Sequence, residues 1–99
     1  MNLEILPRAK GDLADGYDFY ERQSPGLGGH FFETLFADIE KLRETAGIHP
    51  LVHGSHRAIS RRFPYGIYYE VRGETILVQA VFDCRRHPSK IRRRLKGKE

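Results

Sequence analysis

The chain has no tryptophan, one methionine and one cysteine in 99 residues. A lone Cys84 excludes an internal disulfide framework and fits a reducing compartment. Arg85 and Arg86 follow it and would favour thiolate, so Cys84 reads either as a nucleophile or as a small side chain ending a strand. No apolar run approaches the ~18 residues of a membrane span. Met1-Asn2-Leu3-Glu4 lacks the basic and apolar regions of a signal peptide, so a cytoplasmic protein without a membrane partner is expected. There is no Walker loop, dinucleotide fingerprint, zinc quartet or Ser-His-Asp spacing, which removes the commonest nucleotide, zinc and acyl-transfer chemistries. His53-x-x-His56 is a weak metal pair, because no Cys, Asp or Glu accompanies it in its loop. The expectation is no metal and no cofactor.

What is present is enough for one small folded domain over residues 1–99. The hydrophobic fraction of 39% argues against wholesale disorder. A chain this short buries a limited core and often leans on a partner. The net charge of +4 hides a steep asymmetry. Residues 1–56 hold five Lys/Arg against nine Asp/Glu, and residues 57–99 hold twelve against four. Such a split makes a directed field that steers an anionic partner toward the second half. Nucleic acid, ribosome or an acidic protein segment would all answer to it.

Periodicity supplies the fold. Asn2 to Leu6 alternates, with Leu3 and Ile5 on one face, and predicts a first strand. Pro7 suits the first helical position, and Ala9, Leu13, Tyr17 and Tyr20 recur at helical spacing. Gly11 and Gly16 each cost about 1 kcal/mol in a helix interior, so this helix depends on packing. Ser24-Pro25 reads as a cap and first-turn proline for a second helix, striped by Leu27, Phe31, Leu35, Ile39 and Leu42. Gly47 and Pro50 stop it, and residues 48–56 read as a polar loop. Strands follow. Ile59, Arg61 and Phe63 alternate with Ala58, Ser60 and Arg62, and Pro64 marks an edge or bulge. Tyr65, Ile67, Tyr69 and Val71 share a face, Gly73-Glu74 turns the chain, and Thr75–Phe82 is apolar throughout, like a central strand. The chain then closes in a basic tail at 90–99. The predicted class is α+β, a helical hairpin packed on a four-stranded, mostly antiparallel sheet in the order β-α-α-β-β-β. The expected core is Leu13, Tyr17, Phe31, Leu35, Ile39, Ile67, Tyr69, Val78 and Ala80.

The candidate binding residues are Arg57, Arg61, Arg62, Arg85 and Arg86, with Tyr68. Arginine presents a rigid fork that matches phosphate and carboxylate. Unbroken strand alternation would put Arg57 and Arg61 on one face and Arg62 on the other. Tyr65 and Tyr69 read as core, which leaves Tyr68, on the opposite face, as the aromatic free to meet a partner. His87 beside Arg86 could move a proton near neutral pH, or simply precede a turn or helix at Pro88.

Four segments carry a family resemblance. They are Ala9-Lys10-Gly11-Asp12-Leu13, the Tyr20–Gly28 stretch around Pro25-Gly26-Leu27-Gly28, Phe63-Pro64-Tyr65-Gly66-Ile67-Tyr68-Tyr69, and Arg85-Arg86-His87-Pro88. In this order they resemble the RelE/ParE superfamily of toxins from type II toxin–antitoxin (plasmid stabilisation) systems. The resemblance implies a small acidic antitoxin as partner, covering apolar surface beside the basic groups. It also implies one of two targets. ParE-like members inhibit growth through DNA gyrase and hold no catalytic set. RelE-like members cut mRNA on the ribosome with lysines, arginines and often a C-terminal tyrosine. Here Gly66 stands where the RelE arginine is expected, and no tyrosine follows Val71. The chain therefore resembles ParE-like members more, and gyrase inhibition is the expected activity. In the endoribonuclease alternative, Arg57, Arg61 and Arg86 would hold phosphate and His87 would move the proton.

Overall fold

The computed structural model describes residues 1–96. The chain runs β1 (Asn2–Ile5), α1 (Pro7–Gln23), α2 (Leu27–Glu40), a single turn α3 (Leu42–Thr45), β2 (Leu51–Val52), β3 (Ser55–Ser60), β4 (Tyr65–Arg72), β5 (Thr75–Asp83) and α4 (Pro88–Lys96). The α+β class, the helical hairpin and the β4–β5 hairpin are as expected. The sheet has five strands in the order β1-β5-β4-β3-β2, because Leu51 and Val52 of the expected loop pair with His56 and Ser55. All pairings are antiparallel except β1 with β5, where Asn2 lies beside Thr75 and Ile5 beside Val78.

Alternation in a strand sends successive side chains to opposite faces. One face carries Ile67, Tyr69, Ile76 and Val78 into the main core with Leu13, Phe31, Leu35 and Ile39 of the helical hairpin. The other carries Tyr68, Ala80 and Phe82, and Ile91 and Leu95 of α4 cover it. Two expectations change here. The basic tail is an amphipathic helix as far as Lys96, with Ile91 and Leu95 one turn apart on its buried stripe. Residues 97–99 of that tail lie outside the described residues. Ala80 is buried as expected, but in this second cluster, and Tyr17 is 38% exposed rather than core.

A bulge reconciles β5 with both faces. The register moves from Tyr68↔Ala80 to Tyr69↔Val78, leaving Gln79 as the extra residue. Past Val78, β5 has no neighbour on the β1 side. Side chains take over: Asp12 Oδ2 accepts the Val81 N–H at 2.9 Å, and Arg94 donates to the Gln79 carbonyl at 3.2 Å. Arg94 also grips Asp12 through two bonds of 3.1 and 2.9 Å, which ties α4 to α1 around the sheet edge.

The inter-helix turn has its own logic. Ser24 ends α1, and Gly26, at φ 90°, stands at the N-cap of α2. Glu21 supplies the cap, accepting the Gly26 N–H at 3.1 Å and the Gly28 N–H at 2.9 Å. Gly28 must be glycine, since a Cβ would lie 2.7 Å from the Tyr17 carbonyl oxygen. Glu21→Ala should therefore destabilise the fold by about 1–2 kcal/mol, like the loss of an N-cap. Glu21→Gln, which keeps an acceptor, should lose less. Urea denaturation of both variants checks this; equal stability of Glu21→Ala and wild type would refute the capping role.

Candidate functional site

The expected arginine cluster is divided among three places. Arg57 leaves β3 opposite Tyr68 and so lies on the α4 side of the sheet. Its stem crosses Gly66, where a Cβ would meet Arg57 Cδ at 3.3 Å and Cγ at 3.4 Å. Glycine at 66 thus gives Arg57 room to lie flat on the sheet. Arg57 Nε is buried without a hydrogen-bond partner. A buried donor in that state favours an incoming acceptor. Arg57 also acts on Cys84. Burial pushes the Cys84 thiol up, and Arg57 pulls against that without reversing it. The raised value favours thiol over thiolate and speaks against the nucleophile reading.

Arg61 and Arg62 lie elsewhere. β3 ends at Ser60 and a turn occupies 61–64, so strand alternation does not reach them. The expectation that they take opposite faces is corrected accordingly. Both line a groove of about 670 Å³ between α2 and β3, floored by Ala58 and Ile67. Arg62 donates to His30 Nε2 at 3.2 Å, and His30 meets the Phe63 ring edge-on. The Ser60 hydroxyl donates to Asp38 at 2.7 Å, tying β3 to α2 at the same groove.

Arg85, Arg86 and His87 follow β5. Arg85 forms a fork with Asp83 through Nε at 2.9 Å and Nη2 at 2.5 Å. That bond holds the Asp83 carboxyl below the ordinary range and raises Arg85 further. Nearby Tyr65 is pushed up to about 12, first by burial and then by Tyr20 and Asp83. Arg86 lies over the Phe82 ring at 4.7 Å, with Arg94 at 5.0 Å from the same ring. His87 begins α4. Its Nδ1 accepts the Ser89 N–H at 3.1 Å, and its carbonyl accepts from Lys90 at 3.0 Å. One ring nitrogen is thereby engaged in capping, with Pro88 at the next position.

Tyr68 is corrected most plainly. It does lie opposite Tyr69, but α4 covers it and only 2% is exposed. A side chain so buried cannot stack on a base. A polar group formed by the residues just after α3 has no signal in the sequence. Tyr69 O–H meets His49 Nδ1 at 2.5 Å while accepting the Gly47 N–H at 2.9 Å. His56 stacks on the Tyr69 ring and bonds the His49 carbonyl at 2.7 Å. Burial, then His56, lowers the His49 pKa.

A lowered histidine value means that the unfolded chain takes up the proton first as pH falls. His49 therefore costs no stability above about pH 6.5, its ordinary value, and subtracts from stability as pH drops below that. Asp83, lowered instead by Arg85, contributes stability that is lost only in a separate, more acidic window. Wild type should lose more stability between pH 7 and pH 5 than His49→Gln in urea titrations. Parallel losses in the two proteins would remove His49 from the account.

These features stand on a frame shared with known proteins. The family model for the ParE toxin of type II toxin–antitoxin systems, parDE, matches residues 3–88. The chain belongs to the ParE toxin family. A solved chain of the chromosomal ParDE TA system from P. aeruginosa superposes with a TM-score of 0.77 at 22% identity, covering 84% of this chain and 95% of that one. No curated protein matches. As a ParE-family member the protein is the toxin half of a type II pair, and an antitoxin is its partner. The ParE match runs from β1 to the first residue of α4. Among the described residues no ParE-family helix here is long and apolar enough to cross a membrane, and no group of three or more His, Cys, Asp or Glu could hold a metal ion.

Proposed function

We propose that this ParE-family toxin arrests growth by docking on DNA gyrase, without itself cutting a bond. The observation that carries the proposal is the dispersal of the groups that RNA cleavage would need together. Arg57, across Gly66, and Arg86, over Phe82, share the α4 face, but Arg61 lines the α2–β3 groove and His87 Nδ1 is engaged with Ser89. Gly66 holds no side chain at all. A poison acting through surface complementarity needs none of these to converge.

The partner we propose is a small acidic antitoxin that neutralises the basic half of the molecule. Arg57, with its unpartnered Nε, Arg61, Arg62 and Arg86 are the anchors we assign to it. The solvent face of α4, with Lys90, Arg92, Arg93 and Lys96, extends the same field. Charge pairing of this kind speeds encounter and fixes register.

Induction of the toxin alone tests the target. The expected result is growth arrest with gyrase cleavage complexes and no new mRNA 5′ ends. His87→Ala and Arg86→Ala should arrest growth as wild type does. Ribosome-dependent mRNA ends that vanish in His87→Ala would replace the gyrase reading with the endoribonuclease one.

A further inference from the structure

α4 presents its cations without counterions. From Lys90 to Lys96 the exposed residues are Lys90, Arg92, Arg93 and Lys96, every one of them basic. The fifth cation, Arg94, turns inward to Asp12 and is only 13% exposed. Among the described residues, none of the four outer cations has a carboxylate at ion-pair distance. The helix that carries them is held in place. Ile91 and Leu95 seat it over Tyr68 and Phe82, and the Asp12–Arg94 bonds staple it to α1. At the pitch of an α-helix the four cations spread over about 160° of its outer side. They form two rows, Arg92 with Lys96 and Lys90 with Arg93. Like charges spaced this way destabilise a helix, and a polyanion laid along them relieves the repulsion.

The chemistry of the face selects among polyanions. A lipid surface takes a basic helix by its apolar side, and α4 commits that side, Ile91 and Leu95, to the sheet. A protein partner gains from apolar area beside charge, and no exposed residue from Lys90 to Lys96 is apolar. Lysine is moreover depleted in protein interfaces. Single-stranded nucleic acid is held by stacking on aromatic rings, and Tyr68 and Phe82 lie beneath the helix, each 2% exposed. Duplex DNA needs cations alone for non-specific binding. Its major groove, ~12 Å wide, admits an α-helix, with phosphates on both sides for two rows of cations. The deep, narrow major groove of duplex RNA does not.

We infer that the outer face of α4 binds the phosphate backbone of duplex DNA, with Lys90, Arg92, Arg93 and Lys96 as its contacts and no preference for sequence. The inference goes beyond the proposed function and holds whether or not gyrase is the target. It leaves the antitoxin to Arg57, Arg61, Arg62 and Arg86, none of which lies on α4.

The test measures binding of the full chain, made by cell-free synthesis, to a fluorescent DNA duplex of mixed sequence over a range of salt. Wild type should bind at low salt, with log affinity falling linearly against log salt, and a scrambled duplex should bind equally. Arg92→Gln/Arg93→Gln should make that slope shallower by about 2 and lower the affinity at 0.1 M salt by roughly 10- to 100-fold. Lys90→Gln/Lys96→Gln should do the same, so the test does not hang on one variant. All four side chains are exposed, and circular dichroism checks that the fold is kept. Arg61→Gln/Arg62→Gln, in the α2–β3 groove, should leave the slope nearly as in wild type. Absence of wild-type binding at low salt overturns the inference. So does an unchanged slope in both α4 variants, or an equal change in the groove variant, which would spread binding over the whole basic half. Failure of antitoxin co-purification in the α4 variants, with DNA binding intact, gives the face to an acidic protein and overturns it too.

Discussion

Asp12→Ala should lower the free energy of unfolding by about 3–5 kcal/mol, a large share of the ~5–15 kcal/mol typical of a domain. Asp12 has two tasks. It pairs with Arg94 where the two side chains are only 12% and 13% exposed, and it satisfies the Val81 N–H left open by the Gln79 bulge. Removing one partner of a buried pair strands the other charge, and the orphaned N–H adds its own desolvation penalty. Asp12→Asn keeps an acceptor for Val81 and should lose less. Because Arg94 belongs to α4, amide exchange around Ile91 and Leu95 should quicken in Asp12→Ala before global unfolding. Asp15→Ala, on the same helix, serves as control. If the two alanine variants unfold at the same urea concentration, the staple contributes nothing.

Gly16→Leu should cost about 3 kcal/mol or more, against the direction of helix propensity. A Cβ at Gly16 would stand 2.4 Å from the Phe31 ring. That ring has no retreat, because Tyr20, Phe63 and Tyr65 surround it with centroids at 5.1, 5.2 and 4.9 Å. Even Gly16→Ala should lose stability, although alanine is favoured by about 1 kcal/mol over glycine in a free helix. Phe31→Leu in the Gly16→Ala background should recover part of the loss, and a double-mutant cycle measures that coupling. Strictly additive effects would mean that the two residues do not meet.

The hairpin of helices and the β4–β5 ribbon were legible because each carries its period cleanly and ends at a marked turn. Leu35 and Ile39 sit where the helical stripe puts them, and Gly73 turns the chain where two strands meet it. α4 was hard to read for the opposite reason. Five of its nine residues are basic, and only Ile91 and Leu95 give it an apolar side. The Pro88 start signal was there to be used. The error at Tyr68 descends from that one: alternation gave its face correctly, but nothing local said that a helix covers the face. Arg61 and Arg62 were misplaced by carrying the strand period past Ser60 into the turn before Pro64. Asp12 was noticed within its motif, yet its role depends on a bulge and a helix from the other end of the chain. Contacts made over such separations have no signature in neighbouring residues.

The parallel pairing of β1 with β5 fixes when the toxin comes into being. Asn2 lies on a strand whose hydrogen-bonding partner is Thr75–Val78, and Asp12 meets its arginine only at position 94. Contacts of such long sequence range form late and fold slowly. A growing chain can assemble the helical hairpin early, but it cannot close the sheet beneath it until β5 has been synthesised, nor latch α4 until Arg94 has been added. The sheet and the α1–α4 latch both wait on residues of the second half, so the underside of the hairpin stays uncovered until β5 and α4 arrive.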